Sequence, residues 1–176
     1  MGSGPSLVCS IRLNTKLNEA QRAQYQSEAV IQDILRRTRT IAVVGCSTEK
    51  AKASNMVASY LRDEGYRVFP VNPRATEILG LPCYPDLASI PEPVDLVDIF
   101  RPEPEVPAIV EQAIRIGAKA VWQQLRIMDL AGADRALSAG LQAVVDRCVK
   151  MEHGRYSGAL HWAGMNTEVI TARRRA

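Results

Sequence analysis

Short apolar runs alternate with longer amphipathic stretches along this chain. The run Ile41-Ala42-Val43-Val44 closes at Gly45 and has the unbroken apolar character of a strand buried on both faces. Beyond it, Ser54 or Asn55 can cap a helix on which Val57, Tyr60 and Leu61 share one side. The pattern predicts a second strand over 66–71, a short third over 81–84 and a fourth over 94–100. Pro102 and Pro104 suit the first turn of the next helix, where a missing N–H costs nothing. Glu103 and Glu105 complement its positive end, and Val106, Ile109, Val110, Ala113 and Ile114 form its apolar side. A strand over 118–122, a helix over 129–139 and a strand over 141–145 follow. Upstream, one helix is predicted over 18–37. Asn18 and Gln21 resemble a capping box, and Val30, Ile31, Ile34 and Leu35 make a stripe at helical spacing. The chain after Val149 reads as irregular structure or a hairpin.

Gly65, Gly117 and Gly140 each stand where a helix should end, and an apolar run follows each. Such a glycine takes the left-handed conformation that closes many helices. Strands that alternate with helices in this way pair in parallel and need helices on both faces. The predicted fold is therefore α/β: a Rossmann-like, doubly wound, mostly parallel sheet. Residues 17–153 form this domain. Residues 1–16 read as a loose arm and 154–176 as an extension with a basic tail.

Composition narrows the function classes. A chain of 176 residues fits one domain. With 47% hydrophobic and 23% charged residues it is neither disordered nor a coiled coil. The formal charge of +3 is small, and Arg173, Arg174 and Arg175 sit together at the tail, so no broad nucleic-acid face is expected. No apolar run has the length of a membrane span, and the N-terminus has no signal-peptide stretch. The four cysteines, Cys9, Cys46, Cys83 and Cys148, are far apart and form no CxxC pair. They read as reduced thiols in a cytoplasmic chain, and no metal site is expected. Gly2 and Ser6 match the loose N-myristoylation template, a short pattern that recurs by chance.

Chemistry in open α/β sheets sits at the carboxyl ends of the strands. The first end is Gly45-Cys46-Ser47-Thr48, a strand-to-helix turn whose N–H groups and hydroxyls suit phosphate, with Lys50 and Lys52 nearby. It is also compatible with an ordinary turn, because the second and third glycines of the dinucleotide fingerprint are missing. The second end is Asn72-Pro73-Arg74. NAD enzymes place an acid there for the ribose diol, and none is present. Arg74 instead suits a phosphorylated ribose, as in NADP or coenzyme A, or it is simply solvated. The third end is Phe100-Arg101-Pro102. The fourth is Gln123-Gln124-Leu125, whose amides suit those of a pantetheine arm.

Taken in order, these segments resemble a known family. Ile41-Ala42-Val43-Val44-Gly45, Val71-Asn72-Pro73-Arg74, the stretch from Pro91 to Arg101, Gly117-Ala118-Lys119-Ala120-Val121-Trp122, and Asp146-Arg147-Cys148 through His153 look like the stand-alone CoA-binding proteins. Those are similar to the N-terminal domain of the succinyl-CoA synthetase α-subunit. The resemblance covers residues 28–153. It implies that Gly45, Cys46, Ser47 and Thr48 take the phosphates, with Lys52 and Ser54 in support. Asn72, Pro73 and Arg74 would lie at the adenosine end. Phe100, Arg101 and Pro102 would run along the pyrophosphate and pantetheine, and Gln124 and Leu125 would approach the thiol. Three features depart from the pattern: the loop prolines are absent, Met56 stands for one glycine, and Arg126 stands for another.

The function expected is a small CoA-binding protein without catalysis of its own. The alternatives are an NADP-linked oxidoreductase, with Tyr60 or Tyr84 as its donor, and a scaffold with a vestigial pocket. The partner expected is a small-molecule CoA ligand, with neither nucleic acid nor membrane. Cys148 beside Glu152 and His153 offers a thiol near a base, although a buried unreactive cysteine is the more common finding.

Overall fold

The computed structural model describes residues 16–157. The N-terminal arm, the basic tail, Gly2, Cys9 and His161 lie outside the described residues, apart from Lys16 and the segment 154–157. The elements are α1 (Glu19–Tyr25), α2 (Glu28–Arg37), β1 (Thr40–Val44), α3 (Ala53–Asp63), β2 (Arg67–Val71), β3 (Glu77–Ile78), β4 (Leu81–Pro82), β5 (Leu96–Ile99), α4 (Val106–Arg115), β6 (Ala120–Gln123), α5 (Leu130–Ser138), β7 (Gln142–Val144) and α6 (Val149–Tyr156). One five-stranded sheet has the order β2-β1-β5-β6-β7, and every pairing in it is parallel. The order reverses between β1 and β5, which is the switch point of a doubly wound sheet.

Alternation of side chains along the strands builds the two layers. Ala42, Val44, Val97, Ile99 and Val121 face α4 and α5, which contribute Val106, Val110, Ala133 and Ala136. Ile41, Val43, Leu96 and Trp122 face α2, α3 and α6, with Ile34, Leu61 and Val149 against them. Each fully buried Val, Leu or Ile contributes about 1.5–3 kcal/mol, so a long aliphatic list compensates for few aromatics. Gly65, Gly117 and Gly140 all have positive φ at their helix ends, as the sequence predicts.

Four details differ from the sequence reading. The predicted helix over 18–37 is two helices. Its capping box forms as expected: Gln21 N–H donates to Asn18 at 2.9 Å, and Asn18 N–H to Gln21 at 3.0 Å. The break comes at Gln26, whose buried side-chain amide donates to the carbonyls of Val145 and Asp146, far off in sequence. The chain after Val149 is a helix and no hairpin. Its inner side carries Glu152 and His153 beside Val149, so no apolar stripe announces it. The 81–84 strand contributes only β4, antiparallel to β3, and Tyr84 bridges singly to Val71. Lastly, neither Ser54 nor Asn55 caps α3; Lys52 holds that position, and both residues instead bind Ser47.

Pro70 lies in the edge strand β2, where a strand proline is tolerated. Its carbonyl points away from β1 and accepts the Tyr84 N–H at 2.9 Å, while Asn72 N–H donates to the Tyr84 carbonyl at 2.9 Å. The Asp86 carboxylate accepts both N–H and O–H of Ser89 at 2.8 Å and ties down the segment that follows.

Candidate functional site

The chain leaves β1 through Gly45, at φ +83°. A Cβ there would stand 2.7 Å from Arg101 Cδ and 3.3 Å from the Phe100 carbonyl, so the turn requires glycine twice over. Gly45 and Cys46 both donate their N–H to the Val71 carbonyl, at 3.0 and 3.3 Å. Ser47 N–H donates to Ser54 Oγ at 3.0 Å, and Glu49 N–H to Ser47 Oγ at 3.1 Å. Four amides of this loop are thus bonded within the chain. Asn55 donates to the Ser47 carbonyl at 2.8 Å, and Asn72 to the Cys46 carbonyl at 2.8 Å, so two neighbouring elements clamp the same turn.

Beside this turn lies an open cleft of about 430 Å³ at the carboxyl ends of β1, β2 and β5. That is within the usual range for small-molecule sites. Gly45, Ser47, Asn72, Pro73, Arg74 and Arg101 line it. An Asx turn, with Arg74 N–H on Asn72 Oδ1 at 2.9 Å, brings Arg74 to its rim. The Arg101 guanidinium makes a two-point pair with Glu105, Nε to Oε2 at 2.8 Å and Nη2 to Oε1 at 2.7 Å. That carboxylate holds the Arg101 pKa above its usual value, and the guanidinium holds Glu105 below its own.

The cleft does not gather every residue singled out from the sequence. Cys46 is fully buried beneath the loop, and burial pushes its thiol up to about 12. Thr48 and Lys52 are exposed on the loop beyond it, and Ser54 is buried as the acceptor for Ser47. Phe100 is half-buried against the α3 layer, and Pro102 is exposed at the start of the turn Glu103–Glu105. Gln124 is buried, its amide donating to Asp98 Oδ1 at 2.7 Å, and Leu125 is exposed. Other lining residues went unread: Pro85, Asp86, Leu87, Glu105, Ile109 and Gln112. Of these, only Glu105 carried a signal, four residues after Arg101 and so one helical turn away. The rest arrive through tertiary packing.

On the opposite layer, Asp98 is fully buried, and burial raises its carboxyl to about 7. Among the described residues its Oδ2 has no hydrogen-bond partner. Burial likewise raises the Cys148 thiol. His153 Nδ1 and Tyr60 Oη are 2.9 Å apart, and burial lowers the His153 pKa. Among the described residues no cluster of His, Cys, Asp or Glu could hold a metal, and no helix is long and apolar enough to cross a membrane.

Residues 39–154 match the family described as CoA binding domain. An uncharacterized protein of Bacillus subtilis, YneT, is 33% identical over 130 residues, covering 74% of this chain and 96% of that one. An ADP-forming acetate–CoA ligase of Archaeoglobus fulgidus is 43% identical over 77 residues, which is 44% of this chain but 11% of the ligase. Among solved structures, a hypothetical protein from Pyrococcus horikoshii superimposes with a TM-score of 0.72 at 40% identity, over 74% of this chain and 92% of that one.

Proposed function

Because this chain belongs to the CoA binding domain family, we propose that its cleft holds coenzyme A or an acyl-CoA and that the protein is a non-catalytic binder. The observation that carries this reading is the cleft at the switch point, lined by Gly45, Ser47, Arg74 and Arg101. Gly45 gives the Arg101 side chain room to lie across the turn, and two guanidiniums offer the charge-assisted bonds that phosphates take best. In this reading Arg74 takes the ribose 3′-phosphate, with Asn72 and Pro73 beside the adenosine. Arg101, Ser47 and the exposed Thr48 and Lys52 serve the diphosphate. The arm then crosses Phe100 and Pro102 toward Leu125, with Gln124 and Cys46 as supports beneath rather than contacts.

The absence of catalysis is part of the proposal. Burial keeps the Cys46 and Cys148 thiols protonated, and a thiol is a far weaker nucleophile than a thiolate. His153 is occupied by Tyr60, away from the cleft lining. The ligase relative acts through a chain of which this one spans a small part, so its activity is not carried over.

Thermal unfolding with CoA, acetyl-CoA, NADH and NADPH tests the proposal. Ligand at a hundredfold excess over its dissociation constant stabilises by about 2.7 kcal/mol. The expected result is stabilisation by CoA and acetyl-CoA alike and none by either nicotinamide cofactor. Stabilisation by NADPH alone would replace this reading with the oxidoreductase one. Assay of the purified chain for acyl-CoA hydrolysis and acyl transfer completes the test; turnover lost in Cys148→Ser would end the non-catalytic part.

A further inference from the structure

The cleft's charged lining is balanced: Arg74 and Arg101 against Asp86 and Glu105. That balance is unexpected where a polyphosphate is to bind. Asp86 spends one oxygen on Ser89, whose N–H and O–H both donate to Oδ1. Glu105 grips Arg101, one of the cleft's two guanidiniums, through both oxygens. The amides of Gly45, Cys46, Ser47 and Glu49 are bonded internally, so phosphate contact falls largely to side chains, with Arg74 and Arg101 as the guanidiniums of the lining.

We propose that Glu105 is an internal stand-in for the ligand's phosphate, which pairs with Arg101 and must be displaced when a polyphosphate binds. The inference rests on the reading above and adds the residue that sets affinity at its phosphate end. The geometry separates a fixed partner from a mobile one. Glu105 belongs to the turn Glu103–Glu105, closed by its own N–H on the Pro102 carbonyl at 2.9 Å and flanked by Pro104. Arg101 reaches across Gly45 with its Cδ against the loop, and only its terminal guanidinium meets Glu105. Rotation about its outer bonds carries that group from carboxylate to phosphate without moving the backbone. Both side chains are 46% exposed. An ion pair so open to water holds weakly, and a phosphate offers the same two-point geometry with more charge. The pair thus keeps the Arg101 charge balanced and its guanidinium oriented until a stronger anion arrives.

The test is calorimetric titration of the full chain with CoA and, separately, inorganic pyrophosphate. The proteins are wild type, Glu105→Gln, Arg101→Ala and the double variant, each checked for an unchanged melting profile. Glu105→Ala stands in if the Gln variant melts early. The expected result is binding about fivefold tighter in Glu105→Gln, the upper range of an exposed pair, with no gain when Arg101 is already Ala. That pattern on either ligand supports the proposal. Affinity unchanged or weaker in Glu105→Gln overturns it while CoA binding by wild type keeps the functional reading. An equal gain with and without Arg101 also overturns it, because general repulsion then explains the effect. The pattern on pyrophosphate with no binding of CoA supports it and ends the CoA reading. No binding of either ligand by any variant ends both.

Discussion

The carboxyl edge of the sheet has an open half over β2, β1 and β5 and a closed half at the layer beneath and over β6 and β7. In the open half, Arg74 and Arg101 are exposed and Ser47 and Asn72 half-buried around a cleft. In the closed half, Asp98, Gln123, Gln124 and Asp146 are all buried and bonded within the protein. Gln123 exchanges two bonds with the Asp129 backbone, at 2.7 and 2.8 Å. Gln124 holds Asp98, and Asp146 accepts the Arg126 N–H at 2.7 Å. The difference teaches which strand ends are available to a ligand. A buried amide without a partner costs about 1–3 kcal/mol, so a polar side chain at a covered strand end is claimed by the protein first. In the proposed function, a long ligand would meet ready polar groups at its phosphate end and side chains already largely engaged by the protein at its thiol end.

The sharpest way to probe the closed half is pH. The Asp98 pKa is raised from 3.8 to about 7 by burial, so folding favours the neutral carboxyl over the charged one. As pH rises from 4 to 7 the unfolded chain loses this proton first, and stability falls by on the order of 4 kcal/mol before levelling off above pH 7. Asp98→Asn lacks that component. Denaturant unfolding across this range should therefore move the wild-type-to-variant difference steadily in favour of the variant. A difference independent of pH would mean that water reaches Asp98 and the half is not closed. Next in size, Gly45→Val strikes the open half. Valine at φ +83° is strained, and its Cβ meets Arg101. The expected loss is about 2–3 kcal/mol of stability, together with roughly a hundredfold or more in CoA affinity, about 2.7 kcal/mol. Calorimetry showing wild-type affinity would remove the cleft as the site.

A smaller effect separates the two ends of the ligand. Wild type should prefer CoA to 3′-dephospho-CoA by about tenfold, the scale of one charge-assisted hydrogen bond. Arg74→Ala should erase the preference and leave the melting temperature alone. The smallest effect lies at the border of the halves. Arg126 has φ +68°, a conformation that suits glycine, and its side chain is exposed. Arg126→Gly should gain about 0.5–1 kcal/mol, a rise of roughly 1–4 °C, with acetyl-CoA binding unchanged. Altered selectivity among acyl-CoAs would instead bring Arg126 to the thiol end.

The sequence exposed the open half better than the closed one, and the reason is physical. Strands buried on both faces announce themselves as apolar runs, and Gly65, Gly117 and Gly140 mark where helices stop. Gly45 and Asn72-Pro73-Arg74 stand at strand ends, so their placement follows once the strands are known. The pairing of Gln124 with Asp98 joins positions 26 apart, and that of Gln26 with Val145 joins positions 119 apart. Nothing local encodes such bonds. For that reason Gln124 read as a group for pantetheine, and the break between α1 and α2 was invisible. Helix α6 escaped for a related reason: its inner side is polar, and periodicity registers only apolar positions.

The Pro70–Tyr84 contact has a consequence for how these molecules meet in concentrated solution. An outer strand of a sheet is a template on which a stranger's backbone can dock, and unchecked docking ends in fibres. On β2 the proline offers no donor toward the outside, and its carbonyl is already held by the Tyr84 N–H. A visiting strand therefore finds a broken row of contacts along that rim. The chain can crowd against copies of itself there without being copied into a growing sheet.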